Sequence, residues 1–309
     1  MKMLTLLLLA MLALAGCSSP EQGTPPPRKI QVVATLFPLY DMARAIGGEY
    51  AEVSLLLPPG AEAHSFEPRP GDILRLHSAD LFIYTGPFME PWAESLLKGV
   101  DAKGLRAVNS GNGIHLMKQG KEEGDDHDHD HHGGGDPHIW LDFDNAKTMV
   151  STILAGFTAQ DPPHAQAYHR NAARYQSRLT ELDRAYRAGL ADCDSRTVIH
   201  AGHFAFGYLA RRYGLRYLSA FPASGDSEPN ARQMAAMVEL IRSTGAGAIY
   251  YEELVSPRLA DTLARETGSR LLLLSAAHNV SREELAAGLT LPEIMERNLE
   301  NLRGGLSCR

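Results

Sequence analysis

"DPPHAQAYHRNAARYQSRLTELDRAYRAGLAD" (residues 161–192) decides the architecture. After Pro163 it carries no glycine or proline until Gly189. Asp161 suits a helix N-cap and Pro162 suits a first turn. About 28 helical residues at about 1.5 Å each would span roughly 40 Å. That length can brace two lobes rather than pack inside one. His164 and His169 on this helix are expected to face solvent.

The same kind of pattern lies on both sides of it. Before it, IQVVATLF (30–37), EVSLLLP (52–58), DLFIYTG (80–86) and LRAVN (105–109) read as buried strands. Helix-like stretches separate them at Leu39–Ile46, Gly71–Leu76 and Met89–Leu97. After it, RTVIHAG (196–202), LRYLSAF (215–221), AIYYEEL (248–254) and RLLLLSA (270–276) are the strands. Their helices are Phe204–Tyr213, Ala231–Thr244, Pro257–Thr267 and Leu291–Leu302, with Gly214, Gly245 and Gly268 where helix C-caps belong. Strands alternating with helices imply parallel sheets covered by helices. The expected fold is therefore α/β: two lobes, each a parallel four-stranded sheet with flanking helices, joined by one long rigid helix. The corresponding segments are 30–160, 161–192 and 193–309.

The chain has 309 residues, and its hydrophobic content of 44% is enough for two cores. A formal net charge of −7 argues against a nucleic-acid surface. Lys2 and the apolar run from Met3 to Ala15 form a targeting segment too short for a bilayer span. It ends in Leu14-Ala15-Gly16-Cys17, small residues before a cysteine, which resembles a bacterial lipobox. Residues 1–16 then read as a lipoprotein signal peptide, Cys17 as the acylated residue, and 17–29 as a Ser-, Gly- and Pro-rich tether. Nothing later reads as a transmembrane helix, so a body anchored by acyl chains is expected, in the periplasm or at the cell surface. Cys193 and Cys308 remain: outside the cytoplasm they either form a disulfide or stay as two thiols.

The histidines divide into two groups. DDHDHDHHGGGD (125–136) carries His127, His129, His131 and His132 among acids and glycines. With no apolar residue to bury, the stretch 119–135 is expected to be disordered, a loop that captures metal weakly or merely a solvated acidic segment. The single histidines sit elsewhere. His64 follows the second strand in PPGAEAHSFEPRPGD, His138 lies in the connection leaving the first sheet, and His203 follows strand 196–202 and opens a helix. His278 follows strand 270–276. Ligands of parallel α/β sheets bind outside the carboxyl ends of the strands. Four imidazoles converging there suit Zn²⁺, which takes tetrahedral nitrogen sites; Mn²⁺ sites recruit more carboxylate oxygen. Asp136 or Asp142 could orient the ring of His138. Glu252 and Glu253 either hydrogen-bond a ligand ring or compete with His278 for the fourth position. His77, His115 and His200 read as ordinary surface or packing residues.

The stretches "HSFEPRPGD", "DPHIWLD", "HFAFGYLARRYGL", "EPNARQ", "YEELVSP" and "HNVS", in this order, resemble the metal-binding subunits of zinc and manganese ABC importers of the ZnuA/TroA type. The likeness covers nearly the whole chain after the tether. It implies two lobes on a rigid helix, Zn²⁺ (alternatively Mn²⁺) bound in the cleft, and a monomer that delivers it to a membrane permease. It also implies that the fourth ligand is often an acid or a water. Members with an acidic third ligand tend to carry manganese, so His203 points to zinc. Rival readings are a binder of an organic metal chelate, a surface adhesin, and a zinc hydrolase. HExxH is absent, and so is HxE followed by CxxC, so an enzyme is not expected.

Overall fold

A computed structural model describes residues 28–100, 103–118, 135–219, 231–252 and 258–309. The segments containing Cys17, His127, His129, His131, His132 and Glu253 lie outside the described residues. Two four-stranded parallel sheets form the frame. The first contains β1 (Ile30–Ala34), β2 (Ala51–Leu55), β3 (Leu81–Tyr84) and β4 (Arg106–Asn109) in the order β2-β1-β3-β4. The second contains β5 (Thr197–His200), β6 (Arg216–Ser219), β7 (Ala248–Tyr251) and β8 (Arg270–Leu273) in the equivalent order β6-β5-β7-β8.

The strands alternate as a sheet buried on both faces must. Val32, Ala34, Leu81 and Ile83 point into a central core, while Val33 and Phe82 join an outer cluster. That cluster lies under α2 (Pro70–His77) and α3 (Pro91–Lys98), which supply Leu76, Ala93 and Leu96. Val198 and Tyr250 likewise face inward, and Ile199 and Ile249 face an outer cluster with Ile241, Ala260 and Leu263. Those last three come from α7 (Ala231–Thr244) and α8 (Arg258–Thr267).

The linking helix is built from a 3-10 turn, Pro162–His164, followed by α5 (Ala165–Gly189). Its buried residues are Tyr168, Ala172, Tyr175, Leu179, Leu182 and Tyr186, spaced alternately by four and three so that they form one stripe. The stripe serves both lobes. Tyr175 donates its hydroxyl to Asp41 of α1 (Phe37–Gly47) at 2.8 Å, and Tyr186 donates to the Met295 carbonyl of α10 (Leu291–Leu306) at 2.6 Å. Burying each large apolar side chain contributes roughly 1.5–3 kcal/mol, so this stripe couples both lobes to one core.

Two expectations about this region need correction. Asp161 makes no side-chain cap to the backbone; its Oδ2 accepts the Tyr168 hydroxyl and pairs with His164 Nδ1 at 2.7 Å. His164 is therefore half-buried, stacked on Tyr50 with ring centroids 4.2 Å apart, whereas His169 is exposed. A second helix, α4 (Phe143–Gln160), packs against α5. It begins with Asp142, whose carboxylate accepts the amides of Asp144 and Asn145. Cys193 is disulfide-bonded to Cys308, tying the end of the linking helix to the last residues. Among the described residues, no helix is long and apolar enough to cross a membrane.

Candidate metal centre

Four loops at the carboxyl ends of the strands bring His64, His138, His203 and His278 together, with one nitrogen from each lying within 4.8 Å of the others. His64 comes from the β2–α2 loop. His138 sits two residues past Asp136, just before the 3-10 turn Ile139–Leu141. His203 lies in the turn between β5 and α6 (Gly207–Tyr213), and not, as expected, at the start of that helix. The reason is local. The amide of His203 is bonded to Glu252 at 2.7 Å, its carbonyl accepts the Tyr217 hydroxyl, and the Gly202 carbonyl accepts Ser219. These side-chain bonds replace a helical ladder until Gly207.

His278 follows β8 by five residues. Ala277 before it has a φ of 58°, a left-handed conformation for a residue other than glycine, and this turns the chain back into the cleft. The Trp140 indole donates to the Ala276 carbonyl at 2.8 Å, fixing the turn from the opposite lobe.

The imidazoles fall into two pairs. In the first pair each Nδ1 meets a buried carboxylate: His138 pairs with Asp136 at 2.7 Å, and His203 pairs with Glu252 at 2.7 Å. A carboxylate only accepts, so each Nδ1 carries the proton and each neutral ring has its lone pair on Nε2. Those two Nε2 atoms face each other at 3.3 Å. With both rings neutral neither nitrogen can donate to the other, and a divalent cation held by both lone pairs makes the contact favourable. Tetrahedral zinc with bonds of about 2.05 Å sets its ligand nitrogens about 3.3 Å apart.

The second pair, His64 and His278, has no such partner at Nε2; both atoms are buried without a hydrogen bond. Burial, followed by repulsion from His138 and His203, pushes the His64 pKa down to about 3. Burial and then the neighbouring histidines hold His278 well below the usual histidine range. Burial also lowers His138, although its bond to Asp136 opposes the shift. The Glu252 carboxyl is raised by burial but ends below its usual value because of its bonds to His203. His64, His138 and His278 are thus kept neutral, the form that binds metal.

Two glycines make room for the carboxylates. A Cβ at Gly202 would stand 2.0 Å from Glu252 Oε1, and one at Gly207 would stand 2.8 Å from Asp136 Oδ2.

A family model described as "Zinc-uptake complex component A periplasmic" matches residues 32–305. The chain belongs to this family. It is 33% identical over 308 residues to the zinc-binding lipoprotein AdcA of Streptococcus pneumoniae, an alignment covering 98% of this chain but only 61% of that relative's own length. It is 35% identical over 281 residues to the high-affinity zinc uptake system protein ZnuA of Bacillus subtilis, covering 90% of this chain and 88% of that protein. Among solved structures, the Zn(II)-bound ZnuA-like domain of S. pneumoniae AdcA superposes with a TM-score of 0.77 at 30% identity, covering 90% of this chain and 99% of that domain.

In this zinc-uptake family member, several contributors to the centre escaped the sequence reading. Asp142, one of the two carboxylates considered for His138, instead caps α4 and pairs with Arg212 at 3.0 Å; Asp136 alone holds the ring. Glu252 is bonded to His203 and stands behind it rather than in the fourth corner, where the structure brings His278. Gly202 and Trp140 carry no local sequence signal of a role at the centre. His200, expected to pack, is buried with Nδ1 3.2 Å from the Tyr217 hydroxyl. His77 and His115 are exposed.

Proposed function

We propose that this chain binds one Zn²⁺ through His64, His138, His203 and His278 and hands it to the membrane permease of an ABC importer. The single observation that carries this reading is the pair of Nε2 lone pairs, one from each lobe, meeting at 3.3 Å with two further buried imidazoles beside them. Four nitrogens favour zinc over Mn²⁺, which prefers more oxygen. Asp136 and Glu252, one behind each of two rings, balance the charge of a divalent ion.

A filled tetrahedral site has no open position for a catalytic water, and Glu252 is committed to His203, so the chain acts as a carrier and not as a hydrolase. Ring centroids only 4.8–5.7 Å apart leave room for a bare ion and none for an organic chelate. An adhesin role would coexist with this site and requires none of its features.

The protein works outside the cytoplasm as a monomer, held to a membrane through acylated Cys17 and the tether 17–29. Segments 30–160 and 193–309 act as the two metal-binding lobes on the helix 161–192. The histidines at 127, 129, 131 and 132 gather metal weakly ahead of the tight site.

Equilibrium dialysis of the mature protein against zinc and manganese, followed by elemental analysis, tests the reading. One tightly held zinc per chain that excess manganese does not displace is expected. A chain that retains no metal, or prefers manganese, overturns it.

A further inference from the structure

Resting on the four-imidazole reading, we propose that Asn279 is a positioning residue that locks His278 and His64 into one half-site. Three of the four imidazoles then ride on the N-terminal lobe, and His203 alone rides on the C-terminal sheet. By chain order His278 belongs to the C-terminal lobe, since it follows β8. Its hydrogen bonds lead elsewhere.

Asn279 is 1% exposed. Its side-chain amide donates to the carbonyls of Pro58 at 2.7 Å and Ala61 at 3.0 Å, the loop that carries His64 three residues later. Its Oδ1 accepts the Val280 amide, and the Val280 carbonyl accepts the Gly60 amide at 3.2 Å. On the other side of His278, the His278 carbonyl accepts the Phe37 amide at 3.1 Å and the Ala276 carbonyl accepts the Trp140 indole. Five bonds therefore tie 276–280 to the N-terminal lobe. His203 is held instead by Glu252, Tyr217 and the neighbouring strand ends of its own sheet.

The amide suits this role because it is a two-proton donor facing two carbonyls. Aspartate in the same place would offer no donor and would set an acceptor against both. The consequence is kinetic. Displacing the C-terminal sheet withdraws His203 and leaves the ion on three imidazoles; loosening Asn279 withdraws two corners at once.

The test is zinc dissociation from the full mature chain into a chromogenic chelator, together with the visible spectrum of the Co²⁺-substituted protein and hydrogen exchange at the Gly60 amide. Asn279→Ala is expected to speed zinc release about tenfold or more, to weaken the tetrahedral Co²⁺ bands, and to lose protection at Gly60. Asn279→Ser, which keeps one donor, serves if the alanine form does not fold and is expected to shift in the same direction by less. His138→Ala is the control. If it loses zinc while the Asn279 variants keep a wild-type dissociation rate and Co²⁺ spectrum, the positioning role is overturned and the site stands. If His138→Ala also binds zinc as the wild type does, the site reading itself has failed.

Discussion

The four histidines are chemically identical but are held in two different ways. His138 and His203 each lean on a buried carboxylate that fixes the tautomer, so their Nε2 atoms are aimed into the cleft without a metal. His64 and His278 have bare Nε2 atoms, and their rings are set by the backbone of two loops laced together. By chain order each pair takes one ring from each lobe, although His278 is bonded to the N-terminal lobe. In the proposed zinc site one pair would supply charge balance and direction, while the other would supply a neutral wall that closes the tetrahedron. The difference teaches that a polar site can be preset either by hydrogen-bonding the ligand ring or by fixing the loop beneath it.

The largest expected effect is loss of a carboxylate-backed ring. A structural zinc site is worth about 10–16 kcal/mol, so one corner in four accounts for about 2.5–4 kcal/mol, or roughly 10²–10³-fold in Kd. His138→Ala should exceed His278→Ala, because it also strands Asp136 in a buried site without its ring partner. Competition titration with a chelator of known affinity measures both. Equal losses would abolish the distinction between the pairs.

Next come the carboxylates themselves. Asp136→Asn and Glu252→Gln keep the shape but remove the charge and the acceptor that fixes the tautomer. Each should weaken zinc about 10- to 100-fold. Losses below about threefold would mean that burial alone presets all four rings.

The fold was far more legible than the site's supports. Eight strands and the linking helix were readable because apolar runs bounded by glycines leave few alternatives at those lengths. Helix α4 was missed although its pattern was present: Phe143, Ala146, Met149, Val150, Ile153 and Phe157 recur at helical spacing. Its β-branched threonines and Gly156, beginning directly after the histidine-rich stretch, read as connection. The four histidines were legible through their positions after strands. Their supports were not, because no local pattern shows that Asp136 rather than Asp142 reaches the ring, or that Gly202 clears space for Glu252. Asn279 carries no local signal of its role, because its partners lie 221 and 218 residues away in the chain.

The third test uses acid. His64 falls from 6.5 in the unfolded chain to about 3 in the fold, and His278 falls as well. A lowered folded pKa means that the unfolded chain binds more protons below pH 6.5, so stability is lost as pH falls through that value. Each such histidine costs about 1 kcal/mol between pH 6.5 and 5.5. Glu90 runs the other way, since burial raises it to about 7, and it offsets about one histidine over that interval. Urea unfolding of the metal-free protein should therefore weaken on acidification. The double variant His64→Gln/His278→Gln should lose about 2 kcal/mol less than the wild type over the same step. An equal loss would show that the bare pair is not what makes the empty site acid-sensitive.

The smallest effect is expected from the histidine-rich insertion, and the structure shows where to cut. Its flanks form a closed neck: the Asp136 amide donates to the Met117 carbonyl at 2.7 Å, and Lys118 bridges to Gly135. The Tyr208 hydroxyl donates to the Asp136 carbonyl and accepts the Met117 amide, both at 2.9 Å. A deletion running through Gly135 would pull on Asp136, and with it on His138. Removing only 121–132 spares the neck. Such a variant should lose the weak zinc equivalents in calorimetry, while the tight Kd changes by less than about threefold, because none of the four converging rings or their carboxylates is touched. A tight site that weakens tenfold or more with the neck intact would show that the insertion contributes a ligand to the centre, and the separation between capture and binding would fall.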